Sequence, residues 1–251
     1  MNQWFLKNSD RQRSVRESCC YGFAREFVIS MPKPEDIKVI MERRPAWEFL
    51  QKLPREMFGF TFQEGGQLKG HEFVLCSYEN EAWRRRLELI YTKETFDYVP
   101  IRQVGLHRYR DLRYITRDKD AFAATMSEIL PRLLEEITPA YIPKSRHMLE
   151  EKGILQWHFP DTLPDRVGRF VKYITPQYPL DFINNSTVIL DYVDFSAGDE
   201  LVFLYNRARN EFFAESKTRF FPNTIHDFDA VSLEELETLL SEKLEAYLKA
   251  M

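Results

Sequence analysis

Glycine, cysteine and long apolar runs are all scarce in this sequence. Nine glycines in 251 residues leave little material for a glycine-rich phosphate cradle. The phosphate-loop, dinucleotide-binding, zinc-protease and nucleophile-elbow motifs are all absent from the sequence. ATPases, kinases, Rossmann dehydrogenases, zincins and α/β-hydrolases are therefore disfavoured. The sequence favours a non-catalytic protein, and we predict no cofactor.

The three cysteines, Cys19, Cys20 and Cys76, fit neither a disulfide framework nor a zinc quartet. An odd number without such spacing is typical of a reducing compartment. No window approaches 18 consecutive apolar residues, which excludes a transmembrane helix. The first 16 residues lack the apolar core of a signal peptide. We therefore expect a cytoplasmic protein with no membrane partner.

Apolar and aromatic residues are plentiful. The hydrophobic fraction is 44%, and 14% of the residues are aromatic, which predicts a packed chain and not a disordered one. The net charge is −4, so the chain is not a globally basic nucleic-acid binder, although a local basic patch stays open. The sequence thus predicts a folded protein whose charged groups act locally.

Hydrophobic periodicity predicts an α+β fold, in which antiparallel β-meanders carry helices on one face. A helix is predicted over residues 34–53, with a break at Pro45, and about five strands over residues 58–116. The next helix runs to Ile137, and Pro131 should kink it or split it. The apolar spacing after Ser9 and Asp10 fits a helix, although residues 21–30 fit a strand equally well.

The second part of the chain repeats this order. Two prolines mark residues 138–146 as a junction, so we predict an N-terminal half (1–138) and a C-terminal half (139–251), as two domains or one fused domain. A short helix should end at Gly153, and residues 155–159 have a strand pattern. Ser232 and Glu235 form a capping box before the last helix.

The two halves show weak sequence similarity, which suggests a tandem duplication of a helix–meander–helix unit. At a shift of 114 residues, four of the 26 positions from 74 to 99 are identical to their counterparts. The terminal helices align best at a shift of 111, which places Phe122 on Leu233. Any two amphipathic hairpins followed by a helix would match in part, so chance similarity is the alternative interpretation.

Arginines and tyrosines alternate in residues 102–117, and this is the most unusual stretch of the chain. We predict a contact region for an anionic ligand, a nucleic acid or an acidic protein segment. Its candidate residues are Arg102, Arg108, Tyr109, Arg110 and Arg113. Strand geometry divides this group between two faces, and a charged edge strand that resists aggregation is the alternative. A cleft between the halves is a second place for such a site.

Two other functions stay open. His226, Asp227 and Asp229 form a local group that could serve a small-molecule or metal-dependent enzyme. Asp residues before a capped helix are also ordinary turn chemistry. A structural subunit of a larger assembly is the remaining alternative, and it would show a contiguous apolar surface. The sequence favours a binding or regulatory protein over both.

Overall fold

The computed structural model describes residues 36–181 and 185–251, which form two antiparallel sheets of seven strands each and six α-helices. The predicted α+β class is confirmed. The predictions made for residues 1–35, which include Cys19, Cys20 and the ambiguous stretch 10–30, lie outside the described residues.

The first half begins with helices α1 (Ile37–Arg43) and α2 (Glu48–Lys52), and the 3-10 turn between them contains the expected break at Pro45. Helix α3 (Lys119–Glu135) closes this half and continues through Pro131, so it is not split. The strands are β1 (Glu56–Met57), β2 (Phe60–Glu64), β3 (Leu68–Lys69), β4 (Glu72–Asn80), β5 (Arg85–Thr92), β6 (Asp97–Val104) and β7 (His107–Arg110).

The second half starts with α4 (Arg146–Glu151), after which Gly153 adopts the predicted left-handed conformation. Helix α5 (Phe159–Thr162) precedes its sheet, and α6 (Leu233–Ala250) follows it. The strands are β8 (Arg166–Val167), β9 (Phe170–Ile174), β10 (Leu180–Asp181), β11 (Ser186–Asp194), β12 (Asp199–Asn206), β13 (Glu211–Thr218) and β14 (Phe221–Ala230). The capping box of α6 is present, because the Ser232 hydroxyl accepts a hydrogen bond from the Glu235 amide.

The two sheets have the same strand order. The first runs β1-β2-β4-β5-β6-β7 with β3 beside β4, and the second runs β8-β9-β11-β12-β13-β14 with β10 beside β11. Each strand of one sheet therefore has a counterpart at the same place in the other. The chain is built from two similar sheet units.

The pairing register repeats at the predicted shift of 114 residues. Glu72 pairs with Thr92 in the first sheet, and Ser186 pairs with Asn206 in the second. Both of these hairpins have a bulge at the same place, one residue after position 74 or 188. Three turn positions adopt positive φ in both halves: Arg84 and Gly198, Phe96 and Asn210, and Gly105 and Arg219. The match therefore extends to the backbone conformation of the turns.

A buried tyrosine makes the same hydrogen bond in each half. The Tyr78 hydroxyl donates to the Pro54 carbonyl oxygen at 2.7 Å, and the Tyr192 hydroxyl donates to that of Pro164 at 2.7 Å. Burial raises the pKa of both hydroxyls above the ordinary value, so both remain donors at neutral pH. Each bond ties the segment before the sheet to its fourth strand.

Tyr78→Phe and Tyr192→Phe are each expected to lower the free energy of unfolding by about 1 kcal/mol, since each removes one hydrogen bond and leaves a carbonyl without its donor. Urea denaturation measures the difference, and Tyr178→Phe at a half-exposed site is the control with an effect near zero. A large loss for one tyrosine and none for the other would contradict the equivalence of the two halves.

The terminal helices align at a shift of 114 and not at the predicted 111. The N-caps Asp118 and Ser232 are 114 residues apart. Buried residues correspond at the same shift: Phe122 with Leu236, Met126 with Leu240, Leu130 with Leu244, and Leu134 with Leu248. The predicted partner of Phe122, Leu233, is only half-buried. The prediction was wrong because apolar positions on a helix recur every three or four residues, so a slip of three again places apolar residues on apolar ones.

Two local predictions are also wrong. Residues 155–159 are not a strand, because a 3-10 turn at Ile154–Gln156 leads into α5, where Pro160 occupies the first turn. Residues 226–229 lie within β14 and not in a turn. The hairpin that creates β14 turns at Arg219 and Phe220, both at positive φ, and this pair lacks the Asn-Gly signature of such turns.

The two halves share apolar core. Helix α3 packs with one face of the first sheet, and α6 packs with one face of the second. The other face of the second sheet contributes Ile174, Val188, Val202 and Leu204 to the core of the first half. The second sheet is thus covered on both sides, and polar residues of its inner face are buried where the halves meet.

Candidate anion site between the two halves

A cavity of about 440 Å³ lies where the two halves meet, and we call it the junction cavity. Its volume is within the usual range of small-molecule sites. The described residues that line it are Arg85, Arg102, Tyr109, Arg110, Asp111, Leu112, Arg113, Glu136 and Thr138 from the first half, and Pro139, Tyr141, Lys144, Tyr178, Pro179, Leu180, Asp181 and Arg207 from the second.

Four of the five sequence candidates line this cavity. Arg102 on β6 is paired directly with Tyr109 on β7, so the two residues are neighbours across the strands. Arg110 ends β7, and Arg113 follows in a 3-10 turn. Arg108 is absent from the lining. It shares a face of β7 with Arg110, and only Arg110, at the end of the strand, reaches the cavity.

Arg102 is the centre of a buried ion network. Its Nη2 donates to Asp111 Oδ2 at 2.7 Å and lies 2.6 Å from Glu136 Oε2. Arg113 holds the same two carboxylates from the outer side, with Nη2 2.7 Å from Asp111 Oδ2. Burial alone would raise the pKa of the Asp111 carboxyl, but Arg113 and Arg102 outweigh burial and hold it below its ordinary value. Asp111 therefore stays ionised at neutral pH.

Arg85 is a buried cation of a different kind. Its side chain donates from Nη1 to the Ile137 carbonyl oxygen at 3.0 Å, and its guanidinium lies 5.9 Å from the centre of the Tyr173 ring. Within residues 36–181 and 185–251, no carboxylate comes within ion-pair distance of Arg85. Only 8% of the residue is exposed. A buried guanidinium without a counter-ion favours an anion beside it.

Positive charge exceeds negative charge around the cavity. Six lining side chains are cationic: Arg85, Arg102, Arg110, Arg113, Lys144 and Arg207. Three are carboxylates: Asp111, Glu136 and Asp181. Lys144 is exposed at the rim and has no carboxylate partner in the described part of the chain. The lining side chains therefore carry three more positive than negative charges, and one of the cations, Arg110, has its partner Glu72 outside the lining.

Three tyrosines supply the flat apolar surface of the cavity: Tyr109, Tyr141 and Tyr178. Burial raises the pKa of the Tyr109 and Tyr141 hydroxyls above the ordinary value, so both rings are neutral at physiological pH. Tyr178 is 51% exposed at the edge. Sequence reasoning missed Tyr141, Tyr178 and Arg207, because they meet the arginine segment only through the fold.

The other face of β7 has balanced charge. Arg108 Nη2 is 2.6 Å from Glu72 Oε2 and 2.9 Å from Glu88 Oε2, and Arg110 Nη2 is 2.9 Å from Glu72 Oε1. Burial opposes ionisation of both carboxyls, yet the arginines hold the pKa of Glu72 and of Glu88 below the ordinary value. This surface offers less uncompensated positive charge than the junction cavity.

His226, Asp227 and Asp229 lie on β14 in exposed positions. His226 Nδ1 is 2.8 Å from Asp229 Oδ2, and the carbonyl oxygen of Asp227 accepts a bond from Lys243. A depression of about 490 Å³ is lined by His226 and Asp229 but also by apolar residues. In the described part of the chain this group is not among the sets of three close metal-ligating side chains. The enzyme alternative therefore stays a prediction.

A second group of buried polar residues was missed by sequence reasoning. His107 on β7 meets Asp191 on β11, Glu200 on β12 and Lys217 on β13, and we call this group the buried polar cluster. His107 and Lys217 are 110 residues apart in sequence. The available signal was the presence of polar residues at inward positions of apolar strands.

Comparison of the chain with protein-family models, with curated proteins and with solved structures gives no significant match. The functional argument therefore depends on geometry and charge. Among the described residues, no helix combines the length and the apolarity needed to cross a bilayer.

Proposed function

We propose that this chain is a non-catalytic binding or regulatory protein that holds a small anionic ligand in the junction cavity. The observation that carries this proposal is the buried Arg85, which lines the cavity without a carboxylate partner in the described part of the chain. A bound anion would supply the missing counter-charge.

The lining favours a particular chemistry of ligand. Arginine guanidiniums donate paired hydrogen bonds to carboxylate or phosphate oxygens. Tyrosine rings provide stacking faces for a planar group, and Tyr109, Tyr141 and Tyr178 supply three of them. The proposed ligand therefore combines a phosphate or carboxylate with a flat ring. A cavity of about 440 Å³ admits a metabolite of this kind and not a folded polymer.

Regulation follows from the position of the cavity. Because both halves line it, a ligand would contact both and stabilise their association. A change in ligand concentration would then alter the stability of the whole chain. We place this function in the cytoplasm, a proposal supported by the odd number of cysteines.

Isothermal titration calorimetry with AMP and with pyrophosphate as probes tests the proposal. AMP offers a phosphate and a ring, so we expect it to bind with a dissociation constant below about 1 mM and more tightly than pyrophosphate. Arg85→Gln should weaken AMP binding by about tenfold or more, since a hydrogen bond to a charged group contributes roughly 1.5–3 kcal/mol. Lys144→Gln at the exposed rim should weaken it by about two- to fivefold.

Arg108→Gln is the matched control, because Arg108 lies on β7 beside residues that line the cavity but is itself outside the lining. This variant should bind AMP like the unmodified chain. If it lost as much affinity as Arg85→Gln, the sheet surface would be the site instead. If neither probe bound, or the variants left binding unchanged, the proposal would be wrong.

A further inference from the structure

The buried polar cluster brings three potential metal ligands to one point between the two halves. His107 Nε2 lies 3.1 Å from Glu200 Oε1 and 3.7 Å from Asp191 Oδ2, and one ligand atom of each residue lies within 4.8 Å of the others. In the described part of the chain this is the one group of three such side chains. One ligand comes from the first sheet and two come from the second.

Among the described residues, three of the four carboxylate oxygens at this point lack a hydrogen bond, and the fourth, Glu200 Oε2, accepts one from Lys217. Both oxygens of Asp191 and Oε1 of Glu200 are buried and form no hydrogen bond of good geometry in the described part of the chain, although the His107 imidazole lies within ion-pair distance of each residue. Asp191 and Glu200 are both 0% exposed. Burial of two carboxylates costs several kcal/mol, and a divalent ion among the three residues would offset that cost in place of the His107 and Lys217 cations.

The two separations from His107 Nε2 are close to those of atoms that share one ion. Two ligands about 2.0–2.2 Å from a tetrahedral zinc ion are about 3.3–3.6 Å apart, and the two distances from His107 Nε2 lie on either side of this range. One imidazole nitrogen and two carboxylates suit Zn²⁺ or Mn²⁺. Among the described residues the one cysteine, Cys76, lies elsewhere in the first core.

We propose that His107, Asp191 and Glu200 bind a divalent transition-metal ion, with Zn²⁺ as the first candidate. The ion would join β7 of the first half to β11 and β12 of the second. Because these residues are fully buried, its role is to hold the halves together rather than to activate water. This site is separate from the junction cavity, and neither proposal depends on the other.

Lys217 competes with the ion for this place. Its ammonium group contacts Glu200 Oε2 and lies 3.3 Å from His107 Nδ1. Ligation through Nε2 requires a proton on Nδ1, which an ammonium group at that distance opposes. Lys217 therefore limits the affinity, and it must turn aside or lose a proton when metal binds. The side chain is 17% exposed, which gives its terminal group a path to solvent.

Elemental analysis and metal titration of the full chain, purified without an affinity tag, test this proposal. After dialysis against EDTA, we expect one Zn²⁺ or Co²⁺ to bind per chain, with a rise in melting temperature and visible absorption bands of bound Co²⁺. Lys217→Met should bind Co²⁺ at least tenfold more tightly, because it removes the competing charge. Asp191→Ser should abolish binding, and Ser77 occupies the corresponding position of the first sheet.

His226→Gln is the control for adventitious histidine binding, because His226 is exposed on β14. It should retain the full stoichiometry. Circular dichroism establishes that each variant is folded before its titration. If neither the unmodified chain nor Lys217→Met bound Zn²⁺ or Co²⁺, the proposal would fail. Binding that survived in folded Asp191→Ser, or that disappeared in His226→Gln, would also overturn it.

Discussion

Replacement of Arg102 by methionine is expected to lower the free energy of unfolding by about 3–5 kcal/mol, the cost of removing one partner from a buried ion pair. Methionine keeps much of the side-chain volume but leaves Asp111 and Glu136 without their inner cation. The three side chains are at most 8% exposed, so water cannot replace the guanidinium. Chemical denaturation followed by circular dichroism measures the loss.

Arg113→Met is the matched control, since Arg113 holds the same carboxylates from a side chain that is 57% exposed. Its expected effect is below about 1 kcal/mol. A triple variant that also carries Asp111→Asn and Glu136→Gln should recover part of the loss, because no buried carboxylate then lacks a partner. A triple variant no more stable than Arg102→Met would contradict this explanation.

Acid titration gives an independent measurement of the same network. The pKa of Asp111 is below its ordinary value in the folded chain, so its contribution to stability is fully present above the unfolded pKa of 3.8. That contribution is lost as the pH falls through the folded pKa. Arg102→Met removes one of the two guanidiniums that lower this pKa, so the variant should lose less stability over the same pH interval.

Division of the chain after residue 138 is expected to abolish the folding of both fragments. The first core contains Ile174, Val188, Val202 and Leu204 from the second half, and division exposes all four. Burial of such a side chain contributes roughly 1.5–3 kcal/mol, so the four contribute about 6–12 kcal/mol together. This is comparable with the whole stability of an ordinary domain, about 5–15 kcal/mol.

Separate expression of residues 1–138 and 139–251 tests this expectation. Neither fragment should show a cooperative thermal transition, whereas co-expression should yield a complex with the spectrum of the full chain. The opposite result would be a fragment 139–251 that melts cooperatively at the temperature of the full chain. That result would show that the halves are independent domains. The buried Asp191 and Glu200 strengthen the expectation, because separation from His107 removes a partner of each.

The sequence predicted the fold class because periodicity is a local signal. Alternation of apolar residues located the main strands, and Ser232 with Glu235 located the start of the last helix. The hairpin at Arg219 and Phe220 escaped prediction because tertiary contacts hold it: the Phe220 amide donates to the Gly198 carbonyl, and the Arg219 amide donates to Asp199. Local propensity does not contain contacts of that range.

The candidate site was predictable only in part. The arginine segment was noticed because its residues are adjacent in sequence, and four of its five candidates line the junction cavity. Arg207 and Tyr178 reach the cavity from turns about 70–100 residues away, and no spacing rule connects them to the segment. The buried polar cluster is a stronger example, because each of its members comes from a different strand.

The equivalence of the two sheets gives every unusual side chain a counterpart in the same molecule. Arg102 corresponds to Ser216, Arg85 to Asp199, His107 to Phe221, Asp191 to Ser77 and Glu200 to Arg86. The same strand arrangement thus occurs twice in the chain, with a different side chain at each of these five positions. The same pairing register therefore forms with different side chains at these positions. The positions that differ belong to the junction cavity and to the buried polar cluster, so neither proposed site recurs at the equivalent positions of the repeated arrangement.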